Sequence, residues 1–227
     1  MLKIAVAFFG IPRNSPICFP SIEQNVLAQL PAGSDVKCFY HLYKIDEVQN
    51  SRSGEKGELA ADNYQPFESM TGTLTSTEGV LERWDFEQVK AQGDTWADDF
   101  ASLRNLTYQL NSLHTVTRMI ESFNPDFVVF VRPDNFFHNP LPAYVFNHPE
   151  ARRHNAYIPD WQWWGGLNDR FAICGRDTYV AYGKRIERIF EFCKATGRKL
   201  HSERLLKFAL QQADAKVCTL KTQASRV

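Results

Sequence analysis

Lys3-Ile4-Ala5-Val6-Ala7-Phe8-Phe9-Gly10-Ile11-Pro12-Arg13-Asn14 is the stretch that decides the fold. Residues 4–9 form a short, unbroken apolar run, the pattern of a strand covered on both faces rather than one. Gly10-Ile11-Pro12-Arg13-Asn14 breaks it. Residues 18–30 then carry helical periodicity up to Pro31-Ala32-Gly33, and residues 36–43 read as a second strand. A β-loop-α-β opening begins an α/β fold. The apolar start lacks a small-residue cleavage pattern, so it reads as a core strand and not a signal peptide. No run approaches the ~18 apolar residues of a membrane span.

Working outward, residues 44–98 change texture. They are polar, include Ser51-Arg52-Ser53-Gly54-Glu55-Lys56-Gly57, and hold only loose strand-like pieces at 72–77 and around Trp84. A long polar insertion of this kind predicts a partly mobile flap. Residues 100–123 give the clearest helix: Leu103, Leu106, Leu110, Leu113, Val116 and Ile120 recur at helical spacing until Asn124-Pro125 stops them. Strands are expected at 127–131, near 157–158, at 171–174 and at 217–220. Helices are expected after Pro142, at 177–194 and at 202–212. Strands alternating with helices predict one α/β domain over residues 1–227, with a mostly parallel central sheet and helices on both faces.

The 227 residues balance 26 Lys+Arg against 26 Asp+Glu. A neutral chain lacks the cationic face that a general nucleic-acid binder needs, although a local basic pocket remains compatible. At 44% hydrophobic and 23% charged, the chain can bury a substantial core. Five cysteines (Cys18, Cys38, Cys174, Cys193, Cys218) form no CxxC pair and no short metal spacing; they read as reduced core thiols of a cytoplasmic protein. No GxxxxGK[ST], no GxGxxG after the first strand, no GxSxG and no HExxH is present.

In open parallel sheets, ligands bind at the C-terminal strand ends. Two polar tips fall there: Gly10 to Asn14 with its cation, and Arg132-Pro133-Asp134-Asn135 with a cation and a carboxylate. Arginine forks match phosphate oxygens, and a carboxylate suits Mg²⁺ or Mn²⁺ bridging a diphosphate. Asp98-Asp99, before the long helix, is a rival acidic site or simply a helix cap. The densest stretch is Trp161-Gln162-Trp163-Trp164-Gly165-Gly166-Leu167-Asn168-Asp169-Arg170, with three of the five tryptophans. Indole faces suit a sugar or a base, and equally suit packing at a domain edge. Asp169 suits either a proton-accepting base or a structural pair with Arg170.

Taken together, Phe9-Gly10-Ile11-Pro12-Arg13, the helix bearing Asn105, Gln109, Ser112 and Arg118, Arg132-Pro133-Asp134, and Gly165-Gly166-Leu167-Asn168-Asp169-Arg170-Phe171-Ala172-Ile173 resemble landmarks of GT-A-fold glycosyltransferases. The similar enzymes belong to bacterial surface-polysaccharide loci and large DNA viruses. Ser202-Glu203-Arg204-Leu205-Leu206 is similar to a glutamate-led helix late in such domains. The resemblance covers the chain outside 44–98. It implies a GT-A-like three-layer sandwich with a nucleotide-diphosphate-sugar donor (UDP-, GDP- or dTDP-linked) across the strand tips. Gly10, Arg13, Arg132, Asp134, Asn168 and Arg170 would bind the donor. Trp163, Trp164, Gly165 and Gly166 would meet the acceptor. Asp134 would stand in the place of the metal-binding acidic motif and hold Mn²⁺ or Mg²⁺, although Arg132 occupies the position where a full Asp-x-Asp needs its other carboxylate.

The expectation is an inverting transfer of a sugar from a nucleotide-diphosphate sugar to a glycan hydroxyl, in surface-polysaccharide or glycoprotein-glycan synthesis. Asp169 is the first choice of general base and Glu203 the second. The expected location is the cytoplasm or the cytoplasmic face of a membrane. A non-catalytic glycan- or nucleotide-binding module is the alternative, and a nucleotidyl- or phosphotransferase is a third.

Overall fold

β1 (Lys3–Gly10) is buried from Ile4 onward, and its alternation feeds two cores at once. Ile4, Val6 and Phe8 enter the cluster on one face of the sheet; Ala5, Ala7 and Phe9 enter the cluster on the other. The structure, a computed structural model, describes residues 1–50 and 55–227. β1 pairs in parallel with β2 (Asp35–Tyr43), and the short polar ribbon β3 (Glu47–Asn50) with β4 (Glu55–Glu58) follows. Next come β5 (Thr71–Thr75), β6 (Phe127–Val131), β7 (Asn135–Phe137), β8 (Asn155–Pro159), β9 (Phe171–Gly175), β10 (Lys216–Leu220) and β11 (Ala224–Arg226). Seven of them form the central sheet in the order β10-β8-β9-β6-β1-β2-β5. Only β9 runs antiparallel to its neighbours, β6 and β8. The expected mostly parallel α/β sheet is therefore present.

The helices are α1 (Ser15–Asn25), α2 (Val80–Arg83), α3 (Phe86–Ala91), α4 (Ala101–Glu121), α5 (Pro149–Arg152), α6 (Tyr179–Gly183), α7 (Ile189–Thr196) and α8 (Ser202–Gln212). α1 covers one face through Phe19 and Ile22. α4 and α8 cover the other through Leu113, Val116, Ile120, Leu206 and Leu210. Ala5 and Ala7 lie in that second layer, where small side chains leave room for α4 against β1. α4 begins under Asp98, whose carboxylate accepts from the Ser102 backbone N–H at 3.1 Å and from its hydroxyl at 2.6 Å. The Asp98-Asp99 pair thus serves as a cap through Asp98. Among the described residues, no helix is long and apolar enough to cross a membrane.

Four expectations change. Residues 61–98 do not form a loose flap: Phe67, Val80 and Val89 are buried, and β5 extends the main sheet beside β2. Residues 51–54 of that expected flap lie outside the described residues. Trp84 is not in a strand; it follows α2 and donates its indole N–H to Asn111 Oδ1 at 2.9 Å, tying α2 to α4. The helix expected at 177–194 is broken between α6 and α7. Gly183 ends α6, and there a Cβ would come within 2.0 Å of Thr117 Oγ1, so only glycine allows α6 this close to α4. Finally, 217–220 is not the last strand. β11 follows and pairs antiparallel with β7, a ribbon that neither segment announces by hydrophobic pattern.

The five cysteines form no disulfide: Cys18, Cys174 and Cys193 are buried, and Cys38 and Cys218 partly so. Burial, with some help from the Asp134 charge, pushes the Cys18 thiol up to about 12.

At the end of β1, three elements are pinned by hydrogen bonds. Gly10 N–H donates to Ser112 Oγ at 2.7 Å, and that hydroxyl donates to the His41 carbonyl at 2.6 Å. The His41 ring contacts Ser112 Oγ through Nδ1 at 2.9 Å and Thr75 Oγ1 through Nε2 at 3.1 Å. Burial lowers this imidazole from 6.5 to about 4. The unfolded chain therefore takes up a proton that the folded chain refuses. This group's contribution is complete above pH 6.5 and is lost as pH falls toward 4, at up to about 1.4 kcal/mol per pH unit. Urea unfolding between pH 7 and 5 should show a shallower acid loss in His41→Gln than in the wild type.

Candidate functional site

One cavity of about 620 Å³ opens at the C-terminal ends of β1, β2 and β6. Its walls bring together Gly10 and Arg13, the first half of α4, Arg132, the loop 162–170, the start of α8 and Arg226 of β11. Two sequence tips that are 121 positions apart meet directly, because β1 and β6 are neighbours in the sheet: Arg13 Nη2 lies 2.8 Å from Asp134 Oδ2.

Asp134 is only 1% exposed. Arg132 donates Nε to its Oδ1 at 3.0 Å and Nη2 to its Oδ2 at 2.8 Å, a two-point fork. Arg226 Nε is 3.9 Å from Oδ2. Burial alone would raise the Asp134 pKa, but Arg132, Arg13 and Arg226 override it and hold the carboxyl well below the usual range. Burial likewise disfavours the Arg132 charge, and the Asp134 carboxylate more than restores it. Arg170, stacked 5.8 Å from the Trp161 ring, is pushed down by burial and then by neighbouring Arg132. Three guanidinium groups, of Arg13, Arg132 and Arg226, thus surround the Asp134 carboxylate at the strand tips, with Arg170 near enough to feel its charge.

A hard divalent cation needs open oxygen donors. Both Asp134 oxygens already accept from guanidinium groups, and a cation there would sit among like charges. Among the described residues, no group of three His, Cys, Asp or Glu side chains is arranged to hold a metal. The donor set at Asp134 does not fit the expected Mn²⁺ or Mg²⁺.

Asp169 lies on the cavity wall, 7% exposed. Its Oδ2 accepts from Gln109 Nε2 at 3.2 Å and from the Ser202 hydroxyl at the first turn of α8. Of its two sequence readings, the pair with Arg170 is not among the contacts of Asp169. The cation beside it is instead Arg185, fully buried, with Nη2 3.6 Å from Oδ2 and its charge 4.8 Å from the Tyr182 ring centroid. Every one of these side-chain contacts falls on Oδ2. The amide of Gln109 links the two centres, since its Oε1 accepts from Arg132 Nη1 at 2.9 Å.

Glu203 also lines the cavity, and His201 Nδ1 lies 2.9 Å from its Oε2 while stacking on Trp96. Asn168 lines the wall too, but its side chain closes its own loop: the amide donates to the Trp161 carbonyl at 2.8 Å and its oxygen accepts from Arg170 N–H at 2.9 Å. Of the four expected acceptor residues, only Trp164 lines the cavity, 61% exposed. Trp163 instead donates its indole N–H to the Pro159 carbonyl at 2.6 Å. Gln162 and Trp164 both have positive φ, 50° and 45°, so the loop holds non-glycine residues in a strained conformation on the rim.

Sequence reading missed Arg226, Arg185 and Ser202 as site residues. Arg226 reaches the site only through the β7–β11 pairing. Arg185 sits in Lys184-Arg185-Ile186-Glu187-Arg188, which reads as a solvated charged run although Arg185 is 0% exposed. Ser202 had a usable signal, since a serine at a helix start beside the chosen Glu203 marks that terminus as polar.

No protein-family model matches the sequence, and no curated protein matches it. Among solved structures, the chain is similar to the apo form of mouse xyloside xylosyltransferase 1. The identity is 7% and the TM-score 0.48, with 97% of this chain and 85% of that one covered.

Gly166 sets the loop against α8. A Cβ there would come within 2.0 Å of the Glu203 carbonyl oxygen and 2.4 Å of Arg204 N, both backbone atoms, while Leu167 N–H donates to that carbonyl at 2.9 Å. Gly166→Ala should cost on the order of 2 kcal/mol or more in urea unfolding, because backbone must move. Gly165→Ala, whose Cβ would meet only Arg204 side-chain atoms at 3.5 Å but whose φ is +78°, should cost only about 1 kcal/mol.

Proposed function

We propose that this protein is a glycosyltransferase that moves a sugar from a UDP-, GDP- or dTDP-linked donor to a hydroxyl of a glycan acceptor, with inversion. The observation that carries this reading is a single cavity in which a guanidinium cluster and a half-satisfied carboxylate, Asp169, are joined by one amide, Gln109. The cluster suits a diphosphate. Tyr43 and Tyr108, with ring centroids 5.9 Å apart on the cavity wall, offer aromatic surface for a nucleobase. Trp164 on the rim offers an indole face for the acceptor sugar.

In the transfer, Oδ1 of Asp169 takes the proton from the acceptor hydroxyl. The hydroxyl oxygen forms its bond to the anomeric carbon from the side opposite the leaving group. The bond from that carbon to the diphosphate oxygen breaks, and its electron pair stays on the diphosphate. Gln109 and Ser202 hold Oδ2, and Arg185 sits behind it, so the carboxylate turns one oxygen to the substrate.

The exposed Trp164 is equally compatible with a glycan-binding module, and one variant separates the two readings. Asp169→Asn should leave the donor-induced rise in melting temperature intact and lower the transfer rate on the order of 100-fold or more. Near-normal transfer by Asp169→Asn would remove Asp169 as base. Absence of any shift with UDP-, GDP- and dTDP-sugars would remove the donor reading and favour the binding module.

A further inference from the structure

Lys184-Arg185-Ile186-Glu187-Arg188 has the composition of a solvated turn, yet its Arg185 is 0% exposed. The groups packed around this guanidinium are mostly uncharged. Nη1 donates to the Tyr182 carbonyl at 2.8 Å, and the charge sits 4.8 Å from the centroid of the Tyr182 ring, which stacks on Phe130. Burial pushes the Tyr182 phenol and the nearby Cys174 thiol up, so both stay neutral. Nε and Nη2 have no hydrogen-bond partner among the described residues. The carboxylate within ion-pair distance is that of Asp169, whose Oδ2 lies 3.6 Å from Nη2. Arginine is almost never fully buried unless it is paired. Replacing a buried ion pair by well-packed apolar groups is often neutral or stabilising. Packing therefore does not account for a charge at this position, and its effect falls on the anion it faces.

We propose that Arg185 is a positioning residue for the transfer: it supplies the counter-charge that holds the Asp169 carboxylate in one orientation while Oδ1 meets the acceptor hydroxyl. The inference rests on the base role given to Asp169 above and deepens it. Three groups from three parts of the chain converge on the same oxygen. Gln109 of α4 and Ser202 of α8 donate hydrogen bonds to Oδ2, and Arg185, in the turn after α6, adds attraction at longer range. Tyr182 braces the pair, since its ring faces Arg185 and its hydroxyl donates to the Asp169 backbone carbonyl at 3.3 Å. Arg132 and Arg170 also feel the Asp169 charge, but Asp134 engages the first and the Trp161 ring the second. Glu203, a further carboxylate on the cavity wall, is paired with His201. Arg185 is fully buried, so it meets no substrate and acts only through Asp169. Attraction between two charges removed from water is stronger than at the surface, which suits a hold that must fix one rotamer.

A double-mutant cycle on the transfer rate tests this, with UDP-, GDP- and dTDP-linked hexoses as donors and methyl hexosides as acceptors. Arg185→Met should lower the rate on the order of tenfold or more in the wild-type background, and Arg185→Lys, which keeps the charge, should lower it less. In the Asp169→Asn background, Arg185→Met should change the residual rate by less than about twofold, because a group that acts through Asp169 then has nothing to act on. If Arg185→Met does not fold, Arg185→Gln in both backgrounds makes the same comparison. Urea unfolding adds an arm that needs no substrate. Asp169→Asn leaves a buried cation without its counter-charge, so Arg185→Met combined with Asp169→Asn should unfold at higher urea than Asp169→Asn alone. An equal rate loss in both backgrounds, no loss in either, or a double variant that unfolds no later would overturn the inference and leave the base role of Asp169 standing. No turnover of any donor, or near-normal transfer by Asp169→Asn, would overturn the transferase or base reading and this inference with it.

Discussion

A buried carboxylate surrounded by guanidinium groups organises the cavity end of this molecule's central sheet. Asp134 is taken out of water, at a desolvation cost of several kcal/mol for an isolated ion, and stays charged because Arg132 and Arg13 reach it at 2.8 Å. The same contact holds three separate pieces of chain together. Arg13 comes from the loop after β1, Arg132 from the end of β6, and Arg226 from β11, which reaches the site by pairing with β7. Replacing Asp134 by an apolar residue would remove the counter-charge that lies between these like-charged guanidinium groups at the mouth of the cavity. Fold and site share this interaction, so neither can be altered there without the other.

The second centre is arranged by packing. Asp169 sits where the loop 162–170 meets the start of α8, and that meeting is possible only because Gly166 has no side chain to strike the Glu203 backbone. Ser202 then falls against Asp169 Oδ2, and Gln109 reaches from α4 to both Asp169 and Arg132. Asp134 and Asp169 are thereby placed in contrasting surroundings. One is held by forked arginines on both oxygens; the other has its side-chain contacts on one oxygen only.

Much of the scaffold was legible in the chain. The strands at residues 127–131 and 171–174 and the helix at 202–212 lie where their apolar patterns put them, because each makes its hydrophobic contacts within a regular local period. The loops at Gly10 to Arg13 and at Arg132 to Asn135 were also readable as strand tips. What failed was everything dictated by distant neighbours. Residues 61–98 looked polar, yet Phe67, Val80 and Val89 find buried places among other elements. Trp84 looked strand-like until Asn111 received its indole N–H.

The sequence by itself determined an α/β sheet with its polar tips at one end, and it named Arg13, Arg132, Asp134 and Asp169 as the groups worth attention. These are local properties: hydrophobic period, turn residues and charge at a strand end. Tertiary structure alone decided that Asp134 faces guanidinium groups on both oxygens, that Arg185 and not Arg170 backs Asp169, and that Arg226 reaches Asp134 at all. Each of those outcomes depends on which segments the sheet brings within a few ångströms of one another. Electrostatic and hydrogen-bond energies fall off over that distance, so a chemical role is fixed by the neighbours in space and not by the neighbours in sequence.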